Sequence, residues 1–477
     1  MAKPYYKDVL ACQTKICDGM EIIVGRKEST GTKEDSMVVL TNGENVSEKF
    51  NEHVNRNVED TLAACDIGTT TVVCYLIDKE TGQIISTRSG ANPQRSFGAD
   101  VLSRIDAAAR ADDNDKANGG LQMMQTQIVS LLNGWISEML TECGRTKVCR
   151  FSVAGNTVMC HLLMGISPEK LGKAPFMPDE YFGREFNPLD IGLENCQTMI
   201  IFPAVSGFVG GDITAGMMET VNRNELTLYL DIGTNGEMAL GKGDRYVCCA
   251  TAAGPAFEGA QIELGMPASK GAVDKVWLEG RRIKYSVIGN DRPVGLCGSG
   301  LIDALAVLLK AGIIDENGTI LSGQELPILF RSYVFEVEAE ETAQSTEPSL
   351  AVHIAPGVYI TQEDIRKLQL AKGAIAAGIE VLFKEYGCKP CDLDILTFAG
   401  GFGNYIDKAS AAAIGLFPQE LLDKAKEVGN AAGNGAVSAA LSQEAWKRAL
   451  DISGNMRYIE LASYPHFNEM YVEHMNF

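Results

Sequence analysis

Two segments of the sequence end an apolar stretch with the same four residues, Asp-Ile-Gly-Thr. The first begins at Asp66 and the second at Asp231. A glycine lets the backbone turn sharply, and consecutive N–H groups at such a turn form a concavity that binds phosphate. An aspartate at the end of the strand can hold a metal ion or orient a water molecule. The two copies predict a duplicated domain with one phosphate-binding hairpin in each half.

A third glycine-rich turn, Ala399-Gly-Gly-Phe-Gly403, follows a hydrophobic strand predicted at residues 393–398. Glycines at this position allow the backbone to approach a flat ring system closely. Ligands of α/β folds bind at the carboxyl ends of strands, so the three turns are predicted to face one cleft. Dinucleotide binding of the Rossmann type is disfavoured because no Gly-x-Gly-x-x-Gly opens a helix after the first strand, and no Walker-type phosphate loop is present.

Strands alternate with helices along the chain, which is typical of an α/β architecture. The second half restarts with strands predicted at residues 227–230, 237–241 and 246–250. A capping box at residues 361–364 predicts the start of a long helix that ends near Tyr386. We expect three parts: an N-terminal arm at residues 1–60, a first lobe at 61–224 and a second lobe at 225–477.

Composition limits the partners and the compartment. The 477 residues carry a net charge of −20, which disfavours nucleic acid and anionic membranes as partners. No apolar stretch approaches the roughly 20 residues that span a bilayer. The thirteen cysteines are scattered and odd in number, and no His/Cys spacing resembles a zinc site. They indicate reduced thiols in a cytoplasmic protein and fit an anaerobe.

Two phosphate hairpins followed by a late glycine pair resemble the nucleotide site of the superfamily of acetate and sugar kinases, heat-shock chaperones and actin. The resemblance implies two ribonuclease-H-like lobes around Mg-ATP. By position, Asp66 and Asp231 would hold Mg²⁺ through water, and Glu237 or Asp231 would place the hydrolytic water. The residues that would contact the nucleotide are Gly68, Thr69, Thr70, Thr71, Gly233, Thr234, Asn235, Gly254, Gly400, Gly401 and Gly403.

Further motifs resemble one group within this superfamily, the ATP-dependent reductive activators of corrinoid proteins. They lie at residues 92–94, 97–100, 155–165, 174–176, 207–212, 254–259, 297–303 and 467–472, besides the three turns. The resemblance extends from about residue 62 to residue 477. It implies a homodimeric ATPase that drives the reduction of Co(II) to Co(I) in the corrinoid protein of a methyltransferase system.

The N-terminal region departs from that group, whose members usually begin with a ferredoxin-like domain that holds a two-iron cluster on four cysteines. Cys12 resembles the fourth of these cysteines, and only eleven residues precede it. Cys17 forms a C-x4-C pair with Cys12, which cannot complete a four-thiolate site. We therefore expect no iron-sulfur cluster and an external reductant or ferredoxin as the electron donor.

Three other functions compete with this interpretation. They are a small-molecule kinase on the same fold, a cluster-bearing activase like those of 2-hydroxyacyl-CoA dehydratases, and a non-catalytic docking module gated by nucleotide. Cys388 and Cys391 are either a redox or cluster-sharing pair or two ordinary loop cysteines. His161 is either a contact for a partner or a core helix histidine, and Glu258 is a candidate for the cleft.

Overall fold

The computed structural model describes residues 61–110, 119–233, 235–337, 349–403 and 405–477. The arm expected at residues 1–60, with Cys12 and Cys17, lies outside this part of the chain, and so does Thr234. None of the helices in the described ranges is both long enough and apolar enough to cross a membrane.

The first half of the chain forms a six-stranded sheet. Its strands are β1 (Thr61–Ile67), β2 (Thr71–Asp78), β3 (Ile84–Ala91), β4 (Val148–Gly155), β5 (Arg184–Phe186) and β6 (Cys196–Ile201). The order is β3-β2-β1-β4-β6-β5. An antiparallel meander, β1 to β3, continues into parallel strands β4 and β6, and β5 closes the edge antiparallel to β6.

Four helices accompany this sheet, namely α1 (Val101–Ala109), α2 (Gly120–Glu142), α3 (Thr157–Met164) and α4 (Gly211–Thr220). Alternation along β1 sends its side chains to two different cores. Ala63, Cys65 and Ile67 pack with buried residues of α2 and α3 on one face. Leu62 and Ala64 pack on the opposite face, into a core that the second half of the chain also enters.

The second half contributes the remaining strands, β7 (Thr227–Ile232), β8 (Gly236–Lys242), β9 (Arg245–Thr251), β10 (Ala272–Glu279), β11 (Arg282–Val287), β12 (Gly295–Leu296), β13 (Val334–Val337), β14 (Ser349–Ala355), β15 (Val358–Thr361), β16 (Ile395–Ala399), β17 (Ala425–Glu427) and β18 (Met456–Tyr458). Two three-stranded sheets have the orders β11-β10-β12 and β13-β14-β15. The main sheet has the order β17-β16-β7-β8-β9-β18.

The main sheet repeats the plan of the first. Its strands β7, β8 and β9 form an antiparallel meander, as β1, β2 and β3 do. On the other side of β7, the parallel strands β16 and β17 occupy the places of β4 and β6. This repetition confirms the predicted α/β architecture of two ribonuclease-H-like units.

Helices of the second half are α5 (Gly298–Lys310), α6 (Gln362–Tyr386), α7 (Gly400–Gly403), α8 (Lys408–Ala413), α9 (Ala431–Leu441), α10 (Gln443–Gly454) and α11 (Phe467–Glu473). The predicted capping box is present, because the Thr361 side chain accepts from the Asp364 N–H and Asp364 accepts from the Thr361 N–H. The helix ends at Tyr386 as predicted, where Gly387 takes the left-handed conformation.

The two halves share what we call the central core, a buried cluster that includes Leu62 and Ala64 of β1, Tyr229 of β7 and apolar residues of α4 and α9. Helix α9 packs on β1 and β4 of the first sheet and crosses α4. The crossing is close, since a Cβ added to Gly435 of α9 would lie 2.2 Å from the Ala215 carbonyl oxygen of α4. Packing at this separation fixes how closely the two sheets approach.

We expect Gly435→Ala to destabilise the protein, because its new methyl group meets backbone that cannot move away without separating α4 from α9. Overpacking of this kind costs about 1–3 kcal/mol. Thermal or urea unfolding of the purified variant measures the loss. Gly454→Ala is the matched control, because a Cβ added at this helical glycine meets nothing within 4 Å. Equal stability of the two variants would contradict the close crossing.

Candidate active site

Three carboxylates predicted from the sequence lie on the faces of the two sheets that are turned toward each other. Along β1, Asp66 continues the two-residue spacing of Leu62 and Ala64, which enter the central core. Along β7, Asp231 follows Tyr229 in the same way. On β8, Glu237 precedes Ala239, another residue of the central core. Period-two alternation therefore brings side chains from both sheets to one seam.

Asp212 is a fourth carboxylate at this seam, and no role for it was predicted from the sequence. It lies in the first turn of α4, where its Oδ1 accepts the Ile213 N–H at 2.9 Å. Negative charge is favourable at a helix N-terminus because the backbone N–H groups there are unpaired. A glycine-rich turn that opens a helix with an acidic residue was the available signal, but nothing in the sequence showed that this helix begins beside Asp66 and Asp231.

The four side chains, here called the carboxylate cluster, affect each other's pKa values. Burial, followed by the nearby charges of Asp212 and Asp231, raises the pKa of Asp66 to about 7. Burial followed by the charge of Asp212 raises the pKa of Asp231 to about 7. Burial also raises the pKa of Asp212 to about 6 and that of Glu237 well above its ordinary value. Surrounding protein and like charge thus both oppose ionisation.

Cationic side chains do not balance this charge. Within the described ranges, no lysine or arginine forms an ion pair with any member of the carboxylate cluster. Asn430 partly offsets the raised pKa of Asp66, because its side chain hydrogen-bonds the Asp66 carboxylate and lowers the pKa of that group. Asn430 also caps α9 by accepting the Gly433 N–H at 2.8 Å. A second helix N-terminus therefore meets the cluster.

The cluster suits a divalent cation that keeps its water shell. Among the described residues, no three His, Cys, Asp or Glu side chains lie close enough together to hold a metal ion directly. Mg²⁺ retains several waters and takes only one or two carboxylates, often with substrate phosphates as its other ligands. Spaced carboxylates with raised pKa values and no cationic partner fit such an ion, with Asp66 and Asp231 as the closest to the two hairpin turns.

The first hairpin turn joins β1 to β2 and begins at Gly68. The Gly68 N–H donates to the Thr71 carbonyl at 2.9 Å, and an added Cβ would lie 2.8 Å from that same oxygen. Only glycine fits such a turn without a shift of the backbone. Thr69 is half-buried and Thr70 is exposed, so the predicted phosphate-binding segment is accessible from outside the protein.

The second hairpin turn is one residue shorter than the first, and it closes with the Gly233 N–H donating to the Asn235 carbonyl at 2.9 Å. The Asn235 side chain hydrogen-bonds Glu237 and lowers its pKa, although burial dominates. The turn that contains Gly254 also lies here, because a Cβ added to Gly233 would be 4.0 Å from Glu258 Oε1. The structure thus brings Glu258, in the short helix that follows Gly254, next to Gly233.

The third glycine-rich turn lies directly beside the second hairpin. Ala399 pairs with Asp231 across β16 and β7. Gly400 has φ +77°, and an added Cβ would lie 2.3 Å from Asp231 Oδ1. Gly401 is exposed with no neighbour within 4 Å of its Cβ position, whereas Gly403 is buried against Phe398. Gly400 and Gly401 therefore form the part of the turn that a ligand could reach, whereas Gly403 packs against Phe398 in the protein interior.

The remaining candidates lie away from the seam. Cys388 and Cys391 are free thiols in the connection between α6 and β16, one half-buried and the other exposed. His161 is fully buried in α3, with Nδ1 2.8 Å from the Thr157 carbonyl oxygen and its ring against the edge of Phe182. Its burial places it in the helix core, where it is not presented to a partner.

Comparison with known families explains this combination of sheets and turns. Residues 62–223 match the model of the RACo middle region, and residues 225–477 match the model of the C-terminal domain of RACo, the ASKHA domain. The chain belongs to the RACo family. Its resemblance to the reductive activators of corrinoid proteins, predicted from the motifs, is thereby confirmed, as is the actin-like ATPase fold.

Individual relatives carry related names. The corrinoid activation enzyme RamQ of Eubacterium limosum is 37% identical over 416 residues, which cover 86% of this chain and 69% of RamQ. The reductase of a Co(II) methylated amine-specific corrinoid protein from Methanosarcina barkeri is 27% identical over 397 residues, with 74% and 65% covered. A solved structure of a reductive activator for a corrinoid, iron-sulfur protein superposes with a TM-score of 0.71 at 34% identity, covering 88% and 67%. This RACo-family chain spans about two thirds of the length of each relative.

The carboxylate cluster makes stability depend on pH in a way that Asp212→Asn should change. A carboxyl group whose pKa is higher in the folded protein binds more protons there, so its contribution to stability is lost as pH rises through that value. Between about pH 5 and pH 8 the wild type should therefore lose stability from Asp66, Asp212 and Asp231. The variant lacks one repelling charge, and we expect its melting temperature at pH 8 to exceed that of wild type by roughly 2 °C or more.

This comparison is made on ligand-free protein in the presence of a chelator, and the difference should shrink toward pH 5. Asp106→Asn is the control, because Asp106 is exposed on α1 and away from the cluster. A variant that is less stable than wild type at pH 8, or a difference independent of pH, would contradict repulsion within the cluster.

Proposed function

We propose that this chain binds and hydrolyses MgATP at the seam and thereby drives reductive reactivation, from Co(II) to Co(I), of a corrinoid protein in a methyltransferase system. The observation that carries the proposal is the meeting of two Asp-Ile-Gly-Thr hairpins and a glycine-rich turn around one carboxylate cluster. The names of the relatives supply the corrinoid partner. The lobes proposed at residues 61–224 and 225–477 would close on the nucleotide from either side.

The site residues have distinct proposed roles. Asp66 and Asp231 would hold the waters of a Mg²⁺ ion that offsets phosphate charge. The free N–H groups and hydroxyls of Thr69, Thr70 and Thr71 would donate to the β- and γ-phosphates, and Gly233, Thr234 and Asn235 would do so from the opposite turn. Glu237 or Asp231 would orient the attacking water. Positioning and charge stabilisation provide most of the catalysis in phosphoryl transfer, so these groups suffice.

Gly400 and Gly401 would pack against the adenosine, with Gly403 supporting their turn and Gly254 lining the same side. The position of Gly400 against Asp231 supports this arrangement, since the third glycine-rich turn lies beside the second hairpin turn. The separation of the two hairpins across the seam would depend on the α4–α9 crossing, where the two halves pack together. Nucleotide binding would thus be sensitive to how the two halves are packed.

Coupling to the corrinoid partner follows from the use of both halves in one site. A ligand shifts a conformational equilibrium only by its difference in affinity between the two states. MgATP would favour a closed state that docks the corrinoid protein and changes the ligation of cobalt, and hydrolysis would release it. We further propose a cytoplasmic homodimer that receives electrons from an external reductant or ferredoxin.

Asp231→Asn tests the catalytic assignment. We expect phosphate release from MgATP to fall by about 100-fold or more, because the variant cannot hold the metal's waters or orient the attacking one. Asp423→Asn, at an exposed residue outside the seam, serves as the control. Unchanged turnover in Asp231→Asn with a normal melting temperature would contradict the site. Transfer of phosphate to a small-molecule acceptor in place of water would instead establish a kinase.

Reactivation of a corrinoid protein is tested by absorption spectroscopy under anaerobic conditions. A Co(II) corrinoid protein, mixed with the chain, MgATP and a donor too weak to reduce it alone, should accumulate Co(I). We expect no Co(I) when MgATP is omitted or when Asp231→Asn replaces the wild type. ATP hydrolysis that continues without any effect on cobalt, across cognate corrinoid proteins, would refute the reductive role and leave the ATPase assignment intact.

A further inference from the structure

One sequence motif has no part in the proposed chemistry although its residues lie beneath the first hairpin. It comprises residues 92–94 and 97–100, followed by α1. Asn92 and Arg104 are 1% and 0% exposed, so neither can meet a nucleotide or a partner directly. Both side chains nevertheless reach the backbone of the hairpin turn.

Asn92 holds two carbonyl groups of the turn. Its Nδ2 donates to the Gly68 carbonyl at 2.8 Å, and its backbone N–H donates to the Thr70 carbonyl at 2.9 Å. Its Oδ1 accepts the Gln94 N–H at 2.9 Å, which fixes the orientation of the amide. The side chain is therefore locked at both ends and cannot rotate away from the turn.

Arg104 holds the carbonyl between these two. Its Nη2 donates to the Thr69 carbonyl at 2.5 Å, while Nε donates to the Gly98 carbonyl at 3.0 Å. Its Nη1 lies 3.1 Å from Met159 Sδ, which also contacts Asn92 Nδ2 at 3.6 Å. Burial and the charge of Arg95 lower the pKa of Arg104 to about 10, so the guanidinium remains charged at neutral pH.

The carbonyl groups of residues 68 to 71 therefore all accept hydrogen bonds within the protein, since the Thr71 carbonyl accepts the Gly68 N–H. The peptide unit is planar and trans, so a carbonyl and the N–H of the next residue point in opposite directions. Carbonyls held inward at Gly68 and Thr69 therefore turn the N–H groups of Thr69 and Thr70 outward. In the described part of the chain, these two N–H groups donate to no protein atom.

We propose that Asn92 and Arg104 are positioning residues that hold the first hairpin with its N–H groups directed at a phosphate. The proposal rests on the proposed function, which supplies the phosphate. A preorganised set of donors binds an anion without the cost of ordering the loop on binding. The buried guanidinium adds a fixed positive charge behind the turn, on the side opposite to the ligand.

The test uses calorimetric titration of the full chain with MgATP and three variants. Asn92→Ala frees the Gly68 carbonyl without changing charge. Arg104→Lys keeps a positive charge, but a single ammonium group cannot reproduce the planar fork that reaches two carbonyls. Gln369→Ala is the matched control, because Gln369 is also buried and also donates to backbone carbonyls, those of Asn317 and Met475, in the second half.

We expect Asn92→Ala and Arg104→Lys each to weaken MgATP binding at least about tenfold, with Gln369→Ala close to wild type. AMP, measured by competition, should lose little affinity in either variant, because the first hairpin is assigned to the β- and γ-phosphates. A loss of equal size for AMP would indicate a general structural effect and would overturn the positioning role.

Other outcomes are equally decisive. If Arg104→Lys binds MgATP with wild-type affinity and Asn92→Ala does not, Arg104 contributes only its positive charge and is not a positioning residue. Wild-type affinity for MgATP in both variants would overturn the proposal. Failure of both variants to fold would also overturn it, because the two residues would then act on the stability of the fold. If the wild type itself takes up no MgATP, the proposed function fails, and that result is distinct from binding that the variants leave unchanged.

Discussion

Repulsion among four half-buried carboxylates is the constraint on which the arrangement of this protein depends. Asp66 and Asp212 come from the first half of the chain, Asp231 and Glu237 from the second. Each pKa is raised, which means that the folded, ligand-free protein is penalised for carrying these charges. A divalent cation bound at the seam would offset this repulsion between charges that come from the two halves.

Tight packing at the central core holds the two halves together despite the repulsion within the carboxylate cluster. Helix α9 of the second half lies on β1 and β4 of the first, and α4 crosses it at a separation that only glycine permits. A Cβ on Gly216 would lie 2.0 Å from Tyr229 Oη, and one on Gly433 would lie 2.9 Å from Tyr75 Oη. Tight cores have discrete arrangements and deform little. The helices and strands around the seam therefore have little freedom to shift independently of one another.

Local repetition explains which features could be predicted from the sequence. The Asp-Ile-Gly-Thr copies predicted two hairpins with Asp66, Asp231 and Glu237 beside them, whereas the faces of the two sheets that meet were seen only in the structure. The capping box at Thr361 and the end at Tyr386 were equally local and were confirmed. Asp212, Asn430 and Arg104 were missed because each acts through a contact between elements distant in sequence. Asn430 hydrogen-bonds Asp66 from the opposite half of the chain, and no periodic pattern encodes such a pair.

The first hairpin also depends both on local residues of the turn and on residues that are distant in sequence. Thr69 and Thr70 offer N–H groups, and any residue except proline could do so, because the donor is backbone. What the sequence must specify is the direction of those groups, and this is determined behind the turn by Asn92 and Arg104. A backbone anion site is therefore encoded less by the residues that touch the anion than by the buried side chains that hold the opposite edge of the peptide planes. This accounts for a motif at residues 92–94 and 97–100 that lies near the site without lining it.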